Sequence, residues 1–335
     1  MKPRLHAPKF WHKPSLLGTL LSPLGKLYGM LSGMMQSQAV PFRTSIPVFC
    51  VGNVTLGGAG KTPVTLAITE LLHNLKETPH LLSRGYGASV PHPILVDPSR
   101  DTPGTVGDEP LILARHAPTW VHANRANSAK RAVTEGASVL VLDDGLQHSS
   151  LIRDTCFLVI DTDYGLGNGH IFPAGPLRET LDAALHKSHA IIALGNAPLR
   201  LPVTHNLPVF RAVATPTPEW EILRNQIVFP FAGLANNSKF FRMCESVGMR
   251  ITDRASLPDH HIYTRDEAKL LIHRANLLGA IPVTTEKDAV KLHPDERKLV
   301  HVLPVTLTWE NRMELLQFLI TRIADFRNAP PSLMF

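Results

Sequence analysis

The sequence is poor in cysteine, in aromatic side chains and in runs of like charge. Its three cysteines, Cys50, Cys156 and Cys244, are spread over 335 residues. That is too few and too scattered for a disulfide framework or a CxxC metal site, and it fits a reducing compartment. Aromatics make up 6% of the chain, and no dense Lys/Arg tract is interleaved with them. With no recognisable nucleic-acid module either, nucleic acid is the least supported class of partner. Internal repeats and low-complexity tracts are also missing, which excludes solenoid and linker-like chains. What is there, 44% hydrophobic and 19% charged residues, is the composition of a folded α/β protein large enough for two packed units. A net charge of +6 favours an anionic partner: nucleotide phosphate, nucleic acid or an acidic lipid surface.

Residues 14–42 carry one charged side chain, Lys26, while Lys2, Arg4, Lys9 and Lys13 precede them and Arg43 follows. Such a segment can be a signal peptide ending near Ser37-Gln38-Ala39, a spanning anchor or an interfacial helix. Pro23, Lys26 and the series Gly18, Gly25, Gly29 and Gly33 make it a poor span. Export would also carry the nucleotide site described below away from its substrate. The expectation is an interfacial helix with basic residues and Trp11 among lipid headgroups.

Beyond it, apolar runs of strand length recur behind turn residues: Ile46–Val51, Ile94–Val96, Val139–Leu142, Phe157–Ile160 and Ile191–Leu194. Stretches of helical length separate them. Buried strands alternating with helices predict a mainly parallel sheet with helices on both faces. Proline and threonine accumulate over 202–218, which reads as a connection to a second, smaller α/β lobe. That lobe holds the run ending Phe231-Ala232-Gly233, a helix opening on the capping-box pattern Thr264-Arg265-Asp266-Glu267 with an apolar face through Leu270, Leu271, Ile272, Ala275, Leu277 and Leu278, and a last strand from Leu303 to Leu307. The expected units are an N-terminal segment 1–42, a nucleotide-binding domain 43–205 and a second lobe 206–335.

The strand Ile46–Val51 runs into Gly57-Gly58-Ala59-Gly60-Lys61-Thr62-Pro63, where a helix can begin. Strand, glycine loop and helix are the context of a P-loop. Glycines let backbone N–H groups converge on phosphate, the helix N-terminus adds its dipole, Lys61 reaches the β/γ-phosphates and Thr62 can ligate Mg²⁺. Pro63 suits the first helical turn. The usual pattern asks for glycine at position 55, where this chain has Thr55. The doubled glycine resembles P-loop ATPases and kinases related to the nitrogenase iron protein, although Leu56 stands where many of those carry a further lysine. A metal-bound nucleotide also needs a carboxylate at a neighbouring strand end. Val139–Leu142 followed by Asp143-Asp144 supplies a pair, of which either could touch the metal. Gln147 and His148 follow closely enough to join as metal or phosphate contacts.

Several uncommon strings then coincide: Val51-Gly52-Asn53, Ser83-Arg84-Gly85-Tyr86-Gly87, Gly107-Asp108-Glu109-Pro110, Asp143-Asp144-Gly145-Leu146-Gln147-His148, Pro173-Ala174-Gly175-Pro176-Leu177-Arg178-Glu179 and Thr285-Glu286-Lys287-Asp288-Ala289-Val290. Together they resemble the tetraacyldisaccharide 4′-kinases, the lipid A 4′-kinases of Gram-negative bacteria, over most of the chain. Phe231-Ala232-Gly233-Leu234-Ala235-Asn236-Asn237 departs from the family by lacking its Gly-Asn-Pro ending. The resemblance implies transfer of the γ-phosphate of ATP, with Mg²⁺, to the 4′-hydroxyl of an acylated glucosamine disaccharide 1-phosphate. It also implies a peripheral position on the cytoplasmic face of the inner membrane, against cytoplasmic-leaflet lipids.

It further implies that Asp108 and His260 act as a pair on the attacking hydroxyl, with His261 an alternative to His260. Closure of the second lobe would then be coupled to chemistry. Arg178 can clamp phosphate or stabilise the transferring group. Arg84, Tyr86, His148 and Glu179 are expected to line the acceptor pocket. Thr285-Glu286-Lys287-Asp288 puts its lysine one place too late for a guanine-reading motif, and a structural ion pair is an equal reading. The competing functions are a P-loop GTPase or metallochaperone-like switch, and a soluble small-molecule kinase or ligase. The first lacks a guanine signature and metal-binding Cys/His tracts, and the second leaves the N-terminal segment unexplained.

Overall fold

The computed structural model describes residues 8–37, 40–58, 60–85, 90–201 and 206–329. Eight strands come first: β1 (Val48–Asn53), β2 (Pro79–Ser83), β3 (Ile94–Leu95), β4 (Thr119–Val121), β5 (Val139–Asp143), β6 (Thr155–Asp161), β7 (Ala190–Leu194) and β8 (Val209–Pro216). Then follow β9 (Ile227–Ala232), β10 (Arg250–Ile251), β11 (Ala255–Ser256), β12 (Ile281–Thr285), β13 (His301–Leu303) and β14 (Val305–Trp309). Nine of these form one sheet in the order β14-β8-β7-β6-β1-β5-β2-β4-β3, parallel except for β14 on β8 and β3 on β4. The second sheet runs β10-β9-β12-β13 with β11 also on β9, and all its pairs are parallel. The α/β expectation, with a large mainly parallel sheet and a smaller lobe, holds.

Both faces of the large sheet are covered, which is why its strands read as unbroken apolar runs. Successive side chains alternate between faces. Phe49, Val51, Val141 and Phe157 meet Val64, Ile68, Leu71 and Leu72 of the helix Lys61–Asn74, together with Leu315, Leu319 and Ile323 of the helix Arg312–Asn328. Val48, Cys50, Leu140, Leu142 and Leu158 meet Ala129 and Ala132 of Arg125–Thr134 and Ala184 and Leu185 of Leu181–His186. The parallel register carries β1 and β5 to the same edge, so that Val51 lies opposite Asp143. The phosphate loop and the paired aspartates therefore leave the sheet side by side.

Two expectations change. Strand membership narrows the second lobe: β8, β14 and the last helix belong to the large sheet and its core, so 206–335 is not one unit. The run Leu303–Leu307 is two strands in two sheets, divided at Pro304, whose carbonyl accepts the indole N–H of Trp220 at 2.6 Å. The helix Arg265–Leu277 is capped by Thr264 as expected, and it buries Leu271, Ile272 and Ala275. Leu270, Leu277 and Leu278 face outward, off the expected apolar face.

Near the N-terminus a helix spans Leu16–Ser37. Gly18, Gly25 and Gly29 lie against the large lobe. A Cβ at Gly25 would come 2.6 Å from the Ile171 carbonyl oxygen, one at Gly18 2.9 Å from the Asn168 amide and one at Gly29 3.0 Å from the Ile171 side chain. The opposite side leaves Leu16, Leu17, Leu20, Leu24, Leu27, Met30, Leu31 and Met34 exposed, Leu16 by 86% and Leu20 by 77%. Among the described residues no helix is long and apolar enough to cross a membrane.

Candidate active site

The phosphate loop is built by position. At Gly60 the backbone has φ 76° and passes so close to Leu194 that a Cβ would sit 2.2 Å from its methyl, so only glycine fits. The helix Lys61–Asn74 starts at once, turning its free N–H groups toward the loop. The stretch before the glycines is braced from the side: Leu56 N–H donates to the Pro176 carbonyl at 2.7 Å and Arg178 N–H to that of Val54 at 2.8 Å. Ala59 lies outside the described residues.

Lys61 is buried, and its ammonium donates to Asn53 Oδ1 at 3.1 Å and stands 3.7 Å from Asp144. Asn53 in turn donates to the Thr55 carbonyl at 2.8 Å and hydroxyl at 3.0 Å. The residue at the usual glycine position thus helps to aim the lysine. Asn53 was visible only as part of a string, without a role.

The two aspartates have different surroundings. Asp143 accepts from Thr65 Oγ1 at 2.8 Å and lies 3.5 Å from Thr62 Oγ1. Burial, with the charges of Glu109 and Asp144, pushes its carboxyl up to about 7 against the pull of Thr65 and Lys61. A buried carboxylate beside a threonine hydroxyl is a hard oxygen donor set, and it suits Mg²⁺, whose charge would hold Asp143 ionised. Asp144, at φ 54° in the left-handed region, accepts from Arg178 Nη1 at 2.9 and 3.0 Å. Burial opposes its ionisation, but Lys61, Arg178 and Arg125 more than offset that and lower it.

Arg178 also donates to Gln147 Oε1 at 3.2 Å. Gln147 donates to the Asn53 carbonyl and to Glu179 Oε1, both at 2.9 Å, so its amide is committed to this network. Glu179 pairs with Lys187 at 2.6 Å. His148 contacts Ser150 Oγ at 2.7 Å, and burial together with Arg125, Arg153 and Arg84 lowers it to about 4, so it is neutral near pH 7. Arg84 is exposed at the same rim, and Tyr86 lies outside the described residues.

The second lobe closes the other side. Gly107, at φ 96°, ends one short helix and starts the next with Asp108. Asp108 Oδ2 meets His260 Nδ1 at 2.9 Å, and its Oδ1 accepts from Glu109 N–H at 3.0 Å. Burial would raise this carboxyl, but the hydrogen bond from His260 and the nearby charges of Lys287 and Lys291 bring it down to about 2. His260 has φ 55°, a backbone that L side chains seldom adopt, and its N–H donates to Asp259 Oδ1 at 3.0 Å. His261 turns away to Glu267 at 2.7 Å, which separates the two histidines that the sequence left as alternatives.

Three further contacts fix the lobes around this cleft. Lys239 binds both oxygens of Asp161, at 2.8 and 2.7 Å, and stands 3.0 Å from Asp163. Lys287 lies 3.9 Å from Glu109, and a Cβ on Gly58 would be 3.4 Å from that of Ala235. None of these was legible beforehand, because the partners lie far apart in the chain and their strings have no fixed spacing. The segment Phe231–Asn237 that departs from the family pattern therefore includes the residue facing the phosphate loop.

Residues 17–324 match the family described as Tetraacyldisaccharide-1-P 4'-kinase. A Tetraacyldisaccharide 4'-kinase of Rhodospirillum rubrum is 42% identical over 312 residues, covering 91% of this chain and 94% of that protein. One of Rhodopseudomonas palustris is 42% identical over 333 residues, covering 96% and 98%. Among solved structures, LpxK from Aquifex aeolicus, crystallised in complex with ATP, is similar with a TM-score of 0.74 at 25% identity, over 92% of this chain and 99% of that one.

Proposed function

The chain belongs to the tetraacyldisaccharide 4′-kinase family, and on that premise we propose how its site works. The reaction is transfer of the γ-phosphate of ATP to the 4′-hydroxyl of tetraacyldisaccharide 1-phosphate in lipid A biosynthesis. Gly57, Gly58, Ala59 and Gly60 cradle the phosphates, with Lys61 on the β/γ pair and the helix opening at Thr62-Pro63 adding its dipole. Thr62 and Asp143 would hold Mg²⁺, which would supply positive charge to the transferring phosphate. Asp144 aims Lys61 and Arg178 together, being bound to one and close to the other. Gln147 and Glu179 keep that arginine in place.

Asp108 orients the acceptor hydroxyl and takes its proton. A carboxyl held near 2 is a weak base. A loose phosphoryl-transfer transition state asks little of the base until late, so alignment counts for more than basicity. His260 supplies the alignment from the second lobe, and closure of the lobes completes the site. The observation that carries this reading is the Asp108–His260 hydrogen bond at 2.9 Å across the cleft. Its neighbour Glu109 lies near enough to Asp143 for its charge to raise that carboxyl.

The acceptor is a lipid; the exposed leucines and methionines of Leu16–Ser37 form an apolar face, and Met30 and Lys26 of the same helix line a groove with Arg178, Glu179 and Lys187. The helix lies in the membrane interface, peripheral to the cytoplasmic leaflet, and Arg84, Tyr86, His148 and Glu179 receive the disaccharide headgroup. The test is incubation with γ-labelled ATP, Mg²⁺ and tetraacyldisaccharide 1-phosphate, alongside flotation with anionic vesicles. Label on the lipid and protein in the floating fraction are expected. Label released only as free phosphate would overturn the site assignment, and protein left at the bottom of the gradient would overturn the interfacial one.

A further inference from the structure

Lys287 stands behind the Asp108–His260 pair. Its ammonium is 3.2 Å from His260 Nε2, 3.1 Å from Asp259 Oδ1 and 3.9 Å from Glu109 Oε1. A lysine ammonium carries three donors and no acceptor, so a hydrogen bond to Nε2 requires the lone pair there. Nδ1 is then the nitrogen that bears hydrogen, and it points at Asp108 Oδ2, 2.9 Å away, which must accept. One direction of donation runs through all three: lysine to imidazole to carboxylate. Burial works against the lysine's charge, but Asp259, Glu109 and Asp108 more than offset it and hold the ammonium above its ordinary range.

We propose that Lys287 is a positioning residue for phosphoryl transfer: it donates to His260 Nε2 and thereby fixes the Nδ1–H tautomer that keeps Asp108 an oriented, ionised acceptor. The inference rests on the assignment of Asp108 as the proton acceptor and adds what sets the state of its partner. The other charged groups around the imidazole do not replace the lysine. Asp259 Oδ2 is 3.8 Å from Nε2 and could only accept from it, which would call for hydrogen on that nitrogen. Lys291 is paired with Asp288 at 2.8 Å, and His261 with Glu267. With Lys287 removed, Asp259 and Asp108 face the imidazole from its two sides and draw a second proton onto it. Asp108 then meets an imidazolium and becomes a poorer acceptor for the hydroxyl proton.

The experiment combines rate profiles with nitrogen NMR of the full chain. In the wild-type protein the ¹⁵N spectrum should show His260 with hydrogen on Nδ1 and a lone pair on Nε2. Hydrogen on Nε2 would overturn the proposal without any variant. Lys287→Met should convert His260 to the imidazolium at pH 7, lower kcat on the order of 10-fold or more and move the acid limb of the rate profile upward by about one pH unit. KM for ATP should stay within about threefold, because ground-state nucleotide binding is untouched. Lys287→Arg, which keeps a charged donor, should recover most of the rate. Lys287→Gln, a neutral donor, serves in place of the methionine variant if that one does not fold, and should fall between the other two. An unchanged profile and unchanged nitrogen shifts in the methionine or glutamine variant would overturn the role of Lys287. If Asp108→Asn instead keeps the wild-type rate, the assignment of Asp108 fails, and the lysine's role with it.

Discussion

Asp108 and His260 lie 152 positions apart in the chain and meet at 2.9 Å across the cleft between the two lobes. A pair drawn from different lobes exists only while the lobes are together. Here Lys239, held by Asp161 and Asp163, joins the lobes at a second point.

Asp108→Asn is expected to lower transfer by roughly 10²- to 10⁴-fold, the usual worth of a positioned acid–base group. Nucleotide affinity, measured by titration with a non-hydrolysable ATP analogue, should change by less than about threefold, since Asp108 is paired with His260 and not with the phosphate loop. Loss of affinity and rate in equal measure would place Asp108 in nucleotide binding instead.

Lys61→Ala should harm both quantities. Its ammonium is the buried cation of the loop, and Asn53 and Asp144 aim it. Asn53→Ala leaves the charge but removes the guide, so it should reduce transfer more than binding. Equal effects of Asn53→Ala on kcat and on analogue affinity would mean that the asparagine supports the loop as a whole.

Asp143 gives the protein a pH dependence of known sign. Its folded carboxyl titrates near 7, against about 3.9 in an unfolded chain. Between these values the native form holds the extra proton, so this contribution is fully present below about 4 and is lost as pH rises through 7. The melting temperature of wild type minus that of Asp143→Asn should therefore fall between pH 5 and pH 8. Saturating Mg²⁺ with ATP should flatten the difference, because the cation would favour the ionised form. A difference independent of pH would show that Asp143 is already ionised in the free protein.

The two sides of the first helix should respond differently. Gly25→Leu forces a side chain into the Ile171 carbonyl, 2.6 Å from where its Cβ would lie, and should cost about 1–3 kcal/mol as the helix lifts or shifts. Leu20→Glu, on the exposed side, should change stability by less than about 0.5 kcal/mol yet weaken binding to anionic vesicles. Thermal melts and flotation separate the two effects. Weak vesicle binding with the wild-type melt in both variants would contradict the assignment of the glycine face.

What the sequence disclosed follows from how far apart the cooperating residues are. Strand, glycine turn and helix are contiguous over 48–74, so the phosphate loop was legible from spacing alone, and the paired aspartates from an apolar run that stops abruptly. The division of labour between Asp143 and Asp144 was not, because it depends on Thr65 and Arg178 reaching them from elsewhere. The Asp108–His260 pairing came from the family resemblance, since no local pattern links two lobes. Lys287 was weighed as a base reader or an ion pair, and its contact with His260 is invisible until β12 and its following turn are placed. The lobe boundary failed where Pro304 alone separates two apolar strands of different sheets. The glycines of the first helix were read as weakness in a span, and three of the four, Gly18, Gly25 and Gly29, lie close against the large lobe.

That close approach also sets a height. A helix whose glycines sit against the Ile171 carbonyl and the Asn168 side-chain amide cannot roll or ride up without breaking the seat. The chain that follows Ile171 reaches, at Pro176 and Arg178, the two hydrogen bonds that brace the entry to the phosphate loop. The segment 168–178 thus touches both the first helix and the entry to the phosphate loop. If the helix lies in the membrane interface as proposed, the enzyme would work as a depth gauge, phosphorylating hydroxyls that stand at one distance from the acyl boundary. An acceptor with the same sugar raised on a longer spacer should pass above the site untouched.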